Sequence, residues 1–111
     1  MSKVKYVLLL PVNYNDGSEV PEQVRNEILD QIYILAGGYR VDGEGEGAYR
    51  MQNGTKQVDR SIAVWIVVDE DDIPELKNLA GEIAAKLEQE TIYLEHTGST
   101  VEFIPPFKLE G

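Results

Sequence analysis

The sequence predicts an α+β domain, a sandwich of order β-α-β-β-α-β with an extra C-terminal strand. Three observations carry this. The run Ser61-Ile-Ala-Val-Trp-Ile-Val-Val68 is apolar, rich in β-branched residues and ended by Asp69-Glu-Asp-Asp72, which favours a strand over a helix. Two stripes at helical spacing, Val24/Ile28/Ile32/Leu35 and Leu76/Leu79/Ile83/Leu87, flank that run. Glycine- and asparagine-rich stretches separate these segments where turns are required.

Taken in order, Val4 to Leu10 reads as the first strand and ends at Pro11. Asn13-Tyr-Asn-Asp-Gly17 is a loop, and Pro21 suits the first turn of a helix, where a missing N–H costs nothing. That helix is expected to stop at Gly37-Gly38 through a left-handed exit. Gly38 to Arg60 reads as a long, bent or bulged second strand with alternating glycines, followed by a tight turn at Asn53-Gly54. Asp72 and Glu75 have capping-box spacing at the start of the second helix, and Ala80 and Ala84 allow close packing beside its stripe. Thr91 to Glu95 is a strand, His96-Thr-Gly-Ser99 is expected to turn the chain, and Thr100 to Ile104 makes the short extra strand. Pro105-Pro106 blocks its extension, giving one domain over 1–104 and a tail over 105–111.

This order is the split βαβ, or ferredoxin-like, pattern, with both helices on one face of an antiparallel sheet. Strands one and three are central in that topology, and they are the two most apolar strands here. Both of their faces are apolar, yet only one receives helices. The uncovered half carries side chains worth roughly 6–12 kcal/mol if removed from water, and such a patch calls for a cover. Homodimerisation through the helix-free face is the expected answer, with Trp65, Val67, Val7 and Leu9 as the interface set. Coverage by the glycine-rich hairpin and tail, or by another protein, are the alternatives.

Composition narrows the function classes. The chain has 111 residues, no cysteine and a formal net charge of −10. A thiolate nucleophile, a disulfide framework and a thiolate zinc site are excluded. The acidic balance repels phosphate backbones, so no nucleic-acid partner is expected; a basic protein partner is compatible with it. No apolar run approaches the ~20 residues of a membrane helix, and the expected location is cytoplasmic.

Gly37-Gly-Tyr39, Gly47-Ala-Tyr-Arg50, Asn53-Gly54, Asp59-Arg-Ser61 and Gln89-Glu-Thr-Ile-Tyr93 together resemble a group of small bacterial proteins of unknown function with a ferredoxin-like fold. More distantly the pattern is similar to dimeric α/β-barrel proteins, which include cofactor-free monooxygenases, haem-handling enzymes and pure binding modules. The resemblance implies the fold. It places no catalytic motif on named positions.

Candidate chemistry is sparse. Gly43-Glu-Gly-Glu-Gly47 has the look of a nucleotide loop, but a strand follows it where phosphate binding needs a helix N-terminus. Asp42, Glu44 and Glu46 match half of a calcium loop, with Asn53 at the position of the closing bidentate glutamate; the plainer reading is a solvated acidic edge, with no metal expected. His96, beside Glu95, is the one candidate general base; its plainer reading is a polar surface residue. Tyr49, Arg50 and Arg40, with Tyr39 and Arg60, come from the hairpin and are the candidate ligand-binding set, since arginine binds carboxylate or phosphate bidentately. No cofactor is expected. The leading reading is a homodimeric binding or interaction module; the alternatives are a cofactor-free enzyme of the dimeric α/β-barrel type and an acidic regulator of a basic protein.

Overall fold

Strand β1, Lys3–Pro11, alternates strictly between buried and partly exposed residues, as a strand does when only one of its faces meets a packed layer. In the computed structural model, which describes residues 2–107, that layer is a pair of helices, α1 (Glu22–Ala36) and α2 (Ile73–Lys86). The remaining strands are β2 (Arg40–Arg50), β3 (Lys56–Asp69) and β4 (Tyr93–Val101), and all four pair antiparallel in the order β2-β3-β1-β4. Strands β1 and β3 are central, as the sequence predicts.

Register decides which half of each central strand meets the helices. Val4, Tyr6, Leu8 and Leu10 of β1 and Val64, Ile66 and Val68 of β3 point into the core. There they meet Ile28, Leu29 and Ile32 of α1 and Leu76, Leu79, Ala80, Ile83 and Leu87 from α2 and its C-terminal end. The opposite parity, Val7 and Leu9 with Ala63, Trp65 and Val67, forms the helix-free face and is only partly buried. Among the described residues, no helix is long and apolar enough to cross a membrane.

Several expectations need correction. The chain does not turn at His96–Ser99 into a fifth strand: β4 runs unbroken to Val101, and the described residues after it are irregular. Pairing passes from Tyr6↔His96 to Val4↔Thr100, so Thr97, Gly98 and Ser99 bulge out opposite Lys5. Gly98 takes the left-handed conformation (φ 78°), and the Thr97 hydroxyl donates to the Lys5 carbonyl at 3.2 Å. A local hydroxyl partner and one permissive glycine thus absorb the extra residues without reversing the strand. Asp72 precedes α2, but its side chain caps nothing, because it ends the 3₁₀ turn Glu70–Asp72 instead of entering from an extended residue. The last part of the expected tail, 108–111, lies outside the described residues.

The long hairpin is where the domain departs from a plain sandwich. Strand β3 begins at Lys56, whereas its pairing with β1 begins only at Ser61, so Lys56–Arg60 and the end of β2 form a two-stranded arm. Its tip is a three-residue loop, Gln52-Asn-Gly54, in which Gly54 (φ 85°) donates its N–H to the Met51 carbonyl at 2.9 Å. This is the loop closed by a left-handed glycine rather than the two-residue turn. The expected bend in β2 lies between Val41 and Glu44, where Gly43 (φ 84°) is left-handed.

Candidate functional site

Below that bend β2 alternates glycine and glutamate, and pairing gives the alternation a meaning. Gly45 faces Ser61 and Gly47 faces Asp59, on the helix-free side, whereas Glu44 and Glu46 pair with Ile62 and Arg60 on the other side. The helix-free face therefore carries a floor of Gly45, Gly47, Ser61 and Ala63. Tyr49 lies back over this floor: a Cβ on Gly47 would stand 2.7 Å from the Tyr49 hydroxyl and 2.9 Å from its ring carbons. Glycine at 47 is what permits the ring to lie there.

The arm then curls past the end of β1 toward the loop that precedes β4. The Gln52 N–H donates to the Glu90 carboxylate at 3.3 Å. Between arm and loop lies a cavity of about 350 Å³. Leu9, Pro11, Asp59 and Ser61 line its floor, Tyr49, Arg50 and Met51 the arm side, and Glu90, Thr91, Ile92 and Tyr93 the loop side. Two aromatic rings and the Glu90 carboxylate thus border a floor that is half apolar, Leu9 and Pro11, and half polar, Asp59 and Ser61, while Arg50, paired with Lys56, sends its side chain to the other face of the arm. This arrangement can stack a planar group and hydrogen-bond polar substituents at its rim.

Tyr93 is held in place by donating its hydroxyl proton to Glu95 at 2.8 Å. That hydrogen bond, with the Glu95 charge behind it, pushes the Tyr93 phenol above its ordinary value of 10.0. Near neutral pH, Tyr93 is therefore a neutral hydrogen-bonding group rather than a phenolate base. A second perturbed group, Asp16, lies in the loop before α1, where hydrogen bonds from the Ser18 hydroxyl and N–H hold its carboxyl below 3.8.

The expected site residues separate into three places. Tyr49 and Arg50 both line the cavity, with their side chains on opposite faces of the arm. Arg40 does not join them: it is at the other end of β2, about 30 Å away along an extended strand. Its guanidinium carbon lies 4.9 Å from the Trp65 ring centroid, and Lys5 Nζ lies 3.4 Å from the same ring. Arg60 pairs with Glu44 at 3.0 Å on the opposite side of the arm, and Tyr39 lies with Arg40, Trp65, Val67 and Phe103 around a second hollow of about 300 Å³. Val7, Leu9, Trp65 and Val67 all fall on the helix-free face. Lys5 and Arg40 lie over Trp65, and Phe103 from beyond β4 shares a hollow with Val67, so this face is partly covered by its own chain.

His96 sits on the exposed edge strand, stacked on Tyr6 with ring centroids 4.9 Å apart. Glu95 points to the other face, toward Tyr93, and does not orient the imidazole. Among the described residues, no three His, Asp or Glu side chains gather as a metal site; Asp42 and Glu44 face Arg40 and Arg60 instead, at 3.9 and 3.0 Å.

Asp59, Glu90 and Tyr93 line the cavity and were not among the candidates. Asp59 shares the parity of Ser61, Ala63 and Trp65, which was readable from a strand drawn back to Lys56. Tyr93 needs the register Leu9↔Tyr93, which no local pattern supplies.

No family model matches the sequence, and no curated protein is similar to it. Solved structures are. A phage SAM lyase in complex with S-methyl-5'-thioadenosine superposes with a TM-score of 0.63 at 14% identity, over 91% of this chain and 85% of that one. The divalent cation tolerance protein Cut A1 from Thermus thermophilus superposes with a TM-score of 0.58 at 14% identity, over 95% and 87%. The phage SAM lyase in its apo state gives 0.56 at 15% identity, over 91% and 84%.

The fold is ferredoxin-like. At these identities the likeness concerns the fold alone, and the ferredoxin-like sandwich is what places the arm, the cavity and the helix-free face.

Proposed function

We propose that the protein is a self-associating binding module for a small planar, nucleoside-like ligand. The cavity under the arm is its site, and the helix-free sheet face, with Val7, Leu9, Trp65 and Val67, is its homodimer interface. One observation carries the ligand reading: Tyr49 and Tyr93 line one cavity, with Leu9, Pro11 and the Asp59 carboxylate on its floor and Glu90 beside them. Aromatic walls stack a flat ring, and carboxylates accept from the hydroxyls and amino groups of a nucleoside. The similarity to a phage SAM lyase that holds S-methyl-5'-thioadenosine supports that choice of ligand class. The same neighbour favours a second reading, a cofactor-free enzyme that uses this cavity, with the neutral Tyr93 hydroxyl, whose own proton goes to Glu95, accepting a hydrogen bond from the substrate.

Titration calorimetry with S-methyl-5'-thioadenosine tests the reading. Saturable heat that Tyr93→Ala abolishes is the expected result. No heat with the wild type, at concentrations where it is folded, overturns the nucleoside assignment. Light scattering tests the second half: a mass above the monomer's is expected, and a monomer throughout refutes the interface. Incubation with S-adenosylmethionine, followed by chromatography, separates a binder from an enzyme.

A further inference from the structure

Resting on that reading of self-association, we infer that two copies meet antiparallel across their helix-free faces, with the Trp65 end of each seated over the Tyr49–Tyr93 end of the other. The face is asymmetric in charge. At one end Lys3, Lys5 and Arg40 gather around Trp65. Asp69 neutralises Lys3 at 3.1 Å, Asp42 approaches Arg40 only to 3.9 Å, and among the described residues Lys5 has no carboxylate partner within 4.0 Å. Glu95, opposite Val7 on the same face, accepts from Tyr93, and what remains is a locally basic patch on a chain whose net charge is −10. At the other end Tyr49 lies over the glycine floor, and Asp59 and Glu90 line the cavity beside it.

A two-fold axis brings each such patch onto its counterpart twice. Trp65 and Asp59 are six residues apart on β3, about 20 Å in an extended strand, so the axis passes between them, beside Ser61 and Ala63. These small residues lie where the two sheets approach most closely. The basic cluster of one copy then meets the acidic lining of the other's cavity. β1 is nine residues long and the sheet has four strands, giving a flat face of roughly 500 Å² at ~3.3 Å per residue and ~4.8 Å per strand. Side-chain relief and the arm bring it toward the ~800 Å² per partner of a stable interface. The partner's Trp65 closes the open side of the cavity, so the ligand site is completed by the second copy.

Exchanging the charges tests this arrangement. Salt is a poor probe, because it screens the repulsion between two acidic copies as well as the local attraction. One variant carries Lys5→Glu with Arg40→Glu, the other Asp59→Lys with Glu90→Lys. Each alone brings like charge onto like charge and is expected to dissociate at least tenfold more readily than the wild type. Mixed in equal amounts, the two are expected to regain dimer mass by light scattering. A mixture that stays monomeric while the wild type is a dimer overturns the antiparallel arrangement and leaves self-association standing. A monomeric wild type overturns both, and a wild-type trimer overturns the two-fold arrangement. Should the variants fail to fold by circular dichroism, the wild type supplies its own probe, since Trp65 is the sole tryptophan. Its emission is expected to shift to the red as dilution dissociates the protein; an unchanged spectrum across dissociation overturns the placement of Trp65.

Discussion

Replacing Gly47 by alanine isolates the contribution of Tyr49 to the cavity. The new Cβ would stand 2.7 Å from the Tyr49 hydroxyl and 2.9 Å from two ring carbons, about 1 Å inside the ~3.5–4.0 Å at which such atoms rest. The neighbour is the end of a rotatable side chain, so the ring swings off the floor and the backbone stays. Stability changes little: alanine gains roughly 0.5–1 kcal/mol over glycine in a strand, offset by the lost contact. Binding changes more, because a stacked aromatic contributes about 1–3 kcal/mol to holding a base, which is roughly a 5- to 150-fold loss of affinity. Gly45→Ala is the control, since a Cβ there meets nothing within 4 Å. Calorimetry with S-methyl-5'-thioadenosine measures the loss, and contacts between the Tyr49 and Tyr93 ring protons in NMR spectra report the ring position without ligand. In a Tyr49→Ala background, Gly47→Ala is expected to cost nothing further. A full additional loss there, or an undisturbed Tyr49 ring in Gly47→Ala, refutes the reasoning.

Two further predictions concern the scaffold. Ile66 is completely buried between the sheet and the helices, and Ile66→Ala is expected to cost about 2–5 kcal/mol in urea unfolding; a loss under about 1 kcal/mol would mean the core collapses around the gap. The Tyr93 phenol is raised by Glu95, so its proton is held more tightly folded than unfolded. The stability it contributes is present in full below the unfolded value near 10 and is lost as pH rises through the folded value. Spectrophotometric titration at alkaline pH is expected to show one late tyrosine that Tyr93→Phe removes and Glu95→Gln moves down; an unaltered curve in Glu95→Gln contradicts the assignment.

The parts of this fold legible in the sequence are those governed by periodicity within one element. The stripes at Ile28/Ile32 and Leu76/Leu79/Ile83 bury the predicted sides of the two helices, and Gly37 ends the first with φ 82°. The choice of β1 and β3 as central strands followed from their two apolar faces, and pairing confirms it. What stayed hidden depends on contacts between elements. The bulge at Thr97–Ser99 is indistinguishable from a turn until Thr97 reaches the Lys5 carbonyl. Asp72 and Glu75 have the spacing of a capping box, but the residues before them already follow a 3₁₀ path, and spacing alone carries no dihedral information.

The site was less legible for a related reason. Tyr49 and Arg50 stood out as an aromatic and a cation in a glycine-rich setting, and both line the cavity. Grouping Arg40 with them treated β2 as though its ends were close, whereas an extended strand separates its ends by about 3.3 Å per residue. Nearness on this face comes from the curl of the arm, which carries Gln52 to Glu90 across 38 residues of sequence. The GEGEG segment shows the same point at smaller scale. Read as a motif, it suggested a phosphate loop or a calcium loop. Read as a strand, it puts glutamates on one side and bare backbone on the other, and the bare side is what lets Tyr49 lie flat. The chemistry of that segment therefore lies in which face lacks side chains, a property of pairing register rather than of residue type.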